Sequence, residues 1–275
     1  MFSNLSLIFS LAPITRGFIA MIISGTFFPL CGLMVLRLDL IPLRYMLMHG
    51  VILGGALSLA LNLPLFPVTL TINLLLIFIM MFFNKSQSFG FSSASAASMV
   101  LSMALASILM QLADVPAKDT LNLMWGSPFA LTKSDLLILI AISILLLSYI
   151  IFNFKNILAL FFNKDVAKAI GIKVRLNYTF MILIIALLVA LAMKLLGAFL
   201  IDSLLILPVL NANLFCGKES SGIKKLFVTS SIFGLVISLL GYSLAVIINW
   251  PPAATISLLA VIIYIVLSFG KRSFK

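Results

Sequence analysis

Charged side chains are scarce in this sequence. Only 9% of the 275 residues are Asp, Glu, Lys or Arg, whereas 63% are hydrophobic and the mean hydropathy is +1.29. Soluble domains carry about a quarter charged residues, so this chain cannot cover a surface that faces water. The composition excludes an ordinary soluble domain and predicts an all-α fold, a polytopic bundle of transmembrane helices that forms one domain over residues 1–275.

Residues that commonly carry catalysis are also few. The chain has one histidine, His49, and two cysteines, Cys31 and Cys216, which lack CxxC or Cys/His spacing and are interpreted as packing residues. No HExxH or GxSxG motif is present, and Gly217-Lys218-Glu219 lacks the spacing and the Ser/Thr of a phosphate-binding loop. These absences predict that the chain is not an enzyme, binds no cofactor and hydrolyses no ATP itself.

Long uncharged segments are abundant. A membrane-spanning helix needs about 20 mostly apolar residues, and breaks are expected where proline removes a helix donor, at residues 62–64 and 249–252. The pattern predicts about eight or nine spans. They lie in residues 17–36, 45–84 (two helices), 86–113, 136–154, 176–193, 195–215 and 226–270 (two helices).

The net charge of +11 is concentrated between the apolar segments. Basic residues favour the cytoplasmic side and contact anionic lipid, and no Lys/Arg stripe with interleaved aromatics indicates a nucleic-acid partner. With nine spans, all basic residues fall inside except Arg16, Lys118, Lys133 and Lys194. The N-terminus is then outside.

A segment at about residues 154–176 is too polar to span the membrane. Within it, residues 163–171 resemble a short helix, with Asn163 as N-cap, Asp165 in the first turn and Gly171 as the left-handed stop. Val166, Ala169 and Ile170 share one face. A helix this short needs a surface to lie on, either lipid head groups or the groove of a cytoplasmic partner, and its small apolar face favours the partner.

Several motifs resemble the membrane permease subunits of metal-ion ABC transporters, which import zinc, manganese or iron. They are NKDVAKAIGIKVR (163–175), GAFLIDSLLILPVLNA (197–212, with Gly197 and Pro208), the Trp125-Gly126-Ser127 turn, and Pro252-x-Ala254-x-Ile256. The resemblance implies a location in the bacterial inner membrane, a cytoplasmic ABC ATPase dimer that uses ATP, an extracytoplasmic metal-binding protein and a second permease copy, most simply a homodimer. It also implies that Asp165, Val166, Ala169, Ile170 and Gly171 couple the chain to the ATPase.

His49 is a candidate ligand because an ionisable residue within a membrane helix is costly to place there and imidazole binds zinc, manganese and iron. It could equally be a histidine satisfied by a helix carbonyl. The family motif D-x-x-x-H-A-x-x-P-G matches here at His49 and Gly54, but Tyr45 occupies the carboxylate position and Leu53 the proline position. Asp202 is hypothesised to supply the missing charge, with sulfur from Met46 or Met48.

Three functions are compatible with these residues to different degrees. The resemblance predicts the permease of an ABC importer for a divalent metal ion. The alternative is a proton-coupled secondary transporter with Asp202 and His49 as the relay, although no inverted repeat is found. An intramembrane enzyme has almost no residues to use, because paired carboxylates are missing.

Overall fold

A computed structural model describes residues 10–83, 91–114, 126–217 and 222–272. Within these ranges the chain forms α-helices and a short 3₁₀ turn at Pro128–Ala130, and no β-strand is present there. The helices are α1 Ala12–Arg37, α2 Ile41–Leu61, α3 Leu65–Phe83, α4 Phe91–Leu112, α5 Lys133–Phe162, α6 Lys164–Ala169, α7 Val174–Leu196, α8 Ala198–Cys216, α9 Ile223–Ile248 and α10 Pro252–Arg272.

Nine of the helices in the described part of the chain are long and apolar enough to cross a bilayer. They are all the helices except α6, and they coincide with the predicted spans, so the predicted fold class is confirmed. The orientation of the spans, the outside N-terminus and the single-domain organisation stay predictions. Some residues that were used to predict the orientation and the motifs lie outside the described residues. They are Lys85, Lys118, Trp125, Lys218 and Lys275.

Asparagine ends two of the spanning helices where the sequence predicts breaks. Asn62 after α2 has φ +52° and Asn249 after α9 has φ +61°, both in the left-handed region. Asparagine tolerates this conformation better than most residues. The prolines that follow, Pro64 and Pro251, then cannot continue the helix, so both helical hairpins are set by local sequence.

The fifth helix differs from its predicted extent. The sequence predicts its end at residue 154, followed by a polar segment, whereas α5 continues to Phe162 across a kink at Asn153 (φ −108°, ψ 16°). Beyond the kink, Ile157 and Leu160 are buried, and the Asn156 amide donates a hydrogen bond of 3.2 Å to Asn177 Oδ1 on α7. Apolar packing and this polar contact stabilise helix where the local polarity predicted a connection.

The helices group into two compact units. The first comprises Met1–Met34, Ser127–Ile151 and Phe199–Lys275, and the second comprises Val35–Gly126 and Phe152–Ala198. The first unit therefore contains most of α1, the first part of α5, and α8 to α10. The second contains α2 to α4, the end of α5, α6 and α7.

In the first unit, glycine brings α1 and α9 close together. A Cβ on Gly25 would lie 2.7 Å from the Gly234 carbonyl oxygen, so only glycine allows this approach. One turn further along α9, Ser238 Oγ donates a hydrogen bond of 2.9 Å to the Met21 carbonyl. Small residues and hydroxyl-to-carbonyl bonds are what hold helices together in lipid, where apolar burial gives little drive.

In the second unit, α2 packs against α3 at two further glycines. A Cβ on Gly54 would lie 2.6 Å from Thr69 Cα, and one on Gly50 would meet the Asn73 side chain. Asn73 is buried, and its amide group donates a hydrogen bond of 3.1 Å to the Thr69 carbonyl. This close contact fixes the part of α2 that carries His49.

Candidate functional site

His49 lies in the third turn of α2 and is partly exposed. Its Nδ1 is 2.8 Å from the Tyr45 carbonyl oxygen of the preceding turn. Because a carbonyl oxygen can only accept, this contact requires the proton on Nδ1. In the neutral ring Nε2 then keeps the lone pair that binds metal ions. The helix carbonyl therefore satisfies one ring nitrogen and leaves the other suited to a ligand.

A buried cation lies beside the position where the resemblance expects a carboxylate. The Arg44 side chain is only 4% exposed, and its guanidinium carbon is 4.5 Å from the centroid of the Tyr45 ring, which is itself 40% exposed. Such cation–π contacts are favourable, more so when desolvated. Tyr45 here contacts a positive charge with a neutral ring and supplies no negative charge for an ion.

The structure also brings into this region Arg44, which lay just outside the predicted span. The predicted span began at Tyr45, whereas α2 begins at Ile41. The missed signal is Pro42, because proline is well suited to the first turn of a helix. A helix that starts there includes Arg44.

Asp202 lies in the second turn of α8, in the first unit, whereas His49 belongs to the second. The Asp202 side chain is partly buried near the N-terminal end of the helix. Within the ranges described, no group of three or more His, Cys, Asp or Glu side chains could hold a metal ion. The combination of His49 with Asp202 and Met46 or Met48 stays a prediction.

Gly197 and Pro208 lie on either side of Asp202 in the sequence. Gly197 follows α7 with φ +89°, in the left-handed region where glycine is favoured, and its backbone contacts Gly126, which has φ +53°. Pro208 is buried within α8 and leaves the Leu204 carbonyl without its usual helical donor. Both residues therefore shape the backbone.

The predicted short helix is present as α6. Asn163 Oδ1 accepts hydrogen bonds from the backbone amides of Asp165 (2.7 Å) and Val166 (3.3 Å). At the other end, Gly171 has φ +84°, and the Ile172 amide donates to the Ala167 carbonyl at 3.0 Å. This is the Schellman arrangement that ends helices at glycine. The six-residue helix α6 is therefore capped at both ends.

The apolar face of α6 is largely uncovered. Val166 is 45% and Ile170 65% exposed, and Ala169 is also exposed, whereas Ala167 is fully buried. Lys164 Nζ lies 4.2 Å from the centroid of the Tyr178 ring on α7. Ala167 and this cation–π contact therefore hold the helix to its unit, while the face that the sequence singled out remains available to a partner.

The described part of the chain thus contains membrane-spanning helices with a capped, exposed helix between two of them. The family model of the ABC 3 transport family matches residues 10–271, and this chain belongs to that family. It is 27% identical to the manganese transport system membrane protein MntC of Listeria innocua, over 79% of this chain and 76% of that one. It is 28% identical to the high-affinity zinc uptake system membrane protein ZnuB of Buchnera aphidicola, over 77% of this chain and 80% of that one.

A solved structure has the same fold. The chain matches PsaBC from Streptococcus pneumoniae, solved in complex with a Fab, with a TM-score of 0.80 and 23% identity, over 97% of this chain and 95% of that one. At this identity the match concerns the fold alone.

Family membership decides several of the predictions. The chain is an ABC-type permease subunit and a multi-pass protein of the bacterial inner membrane, not an enzyme, as predicted. Membership also implies a separate ATPase and a substrate-binding partner. The alternative of a proton-coupled secondary transporter that uses Asp202 and His49 receives no support from these matches.

Proposed function

We propose that this chain is the permease through which an ABC importer moves manganese or zinc into the cytoplasm. The observation that carries the proposal is the family match over residues 10–271, together with relatives whose names specify manganese or zinc. Iron, the third metal that the sequence resemblance implies, stays a prediction.

His49 is the ligand that the geometry favours most. Its Nδ1 is engaged by a carbonyl, which leaves Nε2 as the donor atom, and imidazole binds both metals. Tyr45 occupies the position expected for a carboxylate, but its ring contacts the Arg44 guanidinium and supplies no negative charge. Asp202 is therefore the proposed source of negative charge. The ion is cargo, so a small set of ligands that binds it weakly suits transport better than a closed site does.

In this proposal, α6 couples ATP hydrolysis by the ATPase to transport by the permease. The exposed face formed by Val166, Ala169 and Ile170 would insert into a groove of the cytoplasmic ATPase, with Asp165 and Gly171 as part of the same coupling segment. A dimer of ATPases requires two such helices, which a second copy of this chain supplies. An extracytoplasmic metal-binding protein would deliver the ion.

The test is uptake of radioactive manganese and zinc by proteoliposomes that contain the permease and its ATPase. We expect uptake that requires ATP and falls at least about tenfold in His49→Ala, since even outer-shell changes at metal sites cost about 10–100-fold. The control is Ile52→Ala, a partly buried residue of the same helix, which should transport normally. Uptake driven by a proton gradient without ATP would refute the proposal.

Two further variants test the source of negative charge. Asp202→Asn should abolish accumulation of the ion, and normal uptake would remove Asp202 from the site. Tyr45→Asp places a carboxylate one turn before His49, and we expect it to lower the metal concentration required for half-maximal uptake. An unchanged value would show that this position does not face the ion.

A further inference from the structure

A groove of about 810 Å³ lies between α6 and the beginning of α7, entirely within the second unit. It begins beside α6 and continues along the first ten residues of the membrane-spanning helix α7. Its lining combines basic side chains with apolar side chains of α7.

One end of the groove is strongly basic. Lys164, Lys168, Lys173 and Arg175 all line it and all are exposed, and none of the residues that line it is acidic. Lys164 is held against the Tyr178 ring, which fixes one of the four charges. Ammonium and guanidinium groups together are the donors that bind a phosphate group, as a point charge and as a planar fork.

The other part of the groove is an apolar stripe on α7. Leu176, Thr179, Phe180 and Leu183 follow i, i+3, i+4, i+7 spacing and therefore share one face of the helix. Leu176 and Phe180 are each 52% exposed. At a rise of 1.5 Å per residue the stripe is roughly 10 Å long, about two thirds of one leaflet of a 30 Å hydrocarbon core.

The basic end of the groove matches the phosphate head group of a lipid, and the apolar stripe matches its acyl chain. We propose that the groove binds an anionic phospholipid, with its phosphate on Lys173 and Arg175 and an acyl chain along the stripe of Leu176 and Phe180. A soluble phosphate would leave the stripe uncovered, and an acidic protein surface cannot follow α7 into the hydrocarbon. The inference does not depend on which solute the protein carries.

The placement of the site gives the lipid a structural consequence. Lys164 and Lys168 belong to α6, so a head group bound at Lys173 and Arg175 would also lie near two positive charges of α6 and would help to hold this helix against α7. The ATPase-facing residues Val166 and Ile170 stay outside the groove lining. Lipid and ATPase would therefore use different faces of α6.

The experiment is native mass spectrometry of the detergent-purified full chain, incubated with phosphatidylglycerol or phosphatidylcholine of identical acyl chains. We expect retention of phosphatidylglycerol only. The double variant Lys173→Gln/Arg175→Gln should lower this retention about 25-fold, because each basic residue near an anionic lipid surface contributes about a factor of five. Phe180→Ser should lower it as well, by shortening the apolar stripe.

Two controls separate binding from folding and from charge alone. Lys173→Arg/Arg175→Lys keeps both charges and should retain the lipid. Lys224→Gln/Lys225→Gln removes two exposed charges from the first turn of α9 and should also retain it. If either control lost as much phosphatidylglycerol as Lys173→Gln/Arg175→Gln does, the proposal would be overturned.

Three other outcomes would overturn it too. They are equal retention of phosphatidylcholine, displacement of the bound lipid by millimolar inorganic phosphate, and displacement by the ATPase subunit. The last would identify the groove as a protein-binding site. Because none of these measurements involves transport, their failure is distinguishable from failure of the proposed import function.

Discussion

Asn163 offers the sharpest test of the proposed docking of α6 on the ATPase, because this one side chain caps the helix and the caps are its main local stabilisation. Asn163 Oδ1 accepts from the amides of Asp165 and Val166 at 2.7 and 3.3 Å. Alanine at this position removes both bonds and changes no other side chain of the helix. The apolar face that would meet the ATPase is untouched, so any effect must come from the stability of α6.

The expected magnitude follows from the cost of losing a cap. Replacing an Asn N-cap by alanine costs about 1 kcal/mol, within a range of about 0.5–2. A helix of six residues has no stability of its own to absorb that loss. If docking requires the formed helix, the apparent affinity falls with the population of that form, so about 1 kcal/mol becomes a roughly fivefold weaker Kd.

The assay is a titration of labelled ATPase onto the permease in nanodiscs, combined with hydrogen exchange of residues 163–171. We expect Asn163→Ala to raise the Kd about fivefold and to accelerate exchange of the Asp165 and Val166 amides. Asn163→Asp is the matched control. Aspartate caps as well as asparagine, so this variant should bind and exchange like the wild type.

Two results would refute the reasoning. Faster exchange with an unchanged Kd would show that α6 is not the element that the ATPase reads. A Kd that weakens equally in Asn163→Ala and Asn163→Asp would show that the asparagine amide contacts the partner itself and that its capping role is irrelevant.

The remaining predictions concern the packing of the first unit. A Cβ on Gly32 would fall on the Leu205 carbonyl oxygen, so Gly32→Ala should lower the thermal midpoint by the equivalent of about 1–3 kcal/mol. Gly270→Ala, where nothing lies within 4 Å, should not, and equal effects would contradict the helix contact. Tyr242→Phe removes the 3.0 Å hydrogen bond to the Ile14 carbonyl and should cost about 0.6 kcal/mol, the average for such bonds in membranes. A loss well above this in the same thermal scans would mean that the hydroxyl holds more than one contact.

Local signals predicted the spans themselves and the ends of α2, α6 and α9 well. Hydropathy, Asn62 and Asn249 before proline, and the cap of α6 at Asn163 each depend on a few neighbouring residues, which is why the sequence alone was sufficient. The end of α5 was predicted wrongly. Its extension to Phe162 depends on the burial of Ile157 and Leu160 and on a hydrogen bond to α7, and such contacts have no local signature.

The candidate site was predictable in its residues but not in its surroundings. His49 could be singled out as the one histidine of the chain, and its contact with the Tyr45 carbonyl follows from helical spacing. The burial of Arg44 against Tyr45 could not, because it depends on where α2 begins and on what packs around its first turn. The charge of the site is therefore a tertiary property.

By itself the sequence determined a membrane-embedded helix bundle, the number of its spans, and a short capped helix between two of them. It could do so because the hydrophobic effect and helix capping act over one helix at a time. Only the tertiary structure decided which face of α6 remains exposed, that Arg44 is buried beside Tyr45, and that Lys173 and Arg175 share a groove with the stripe on α7. These features require residues from different elements to meet, and their free energy comes from contacts that no segment makes alone.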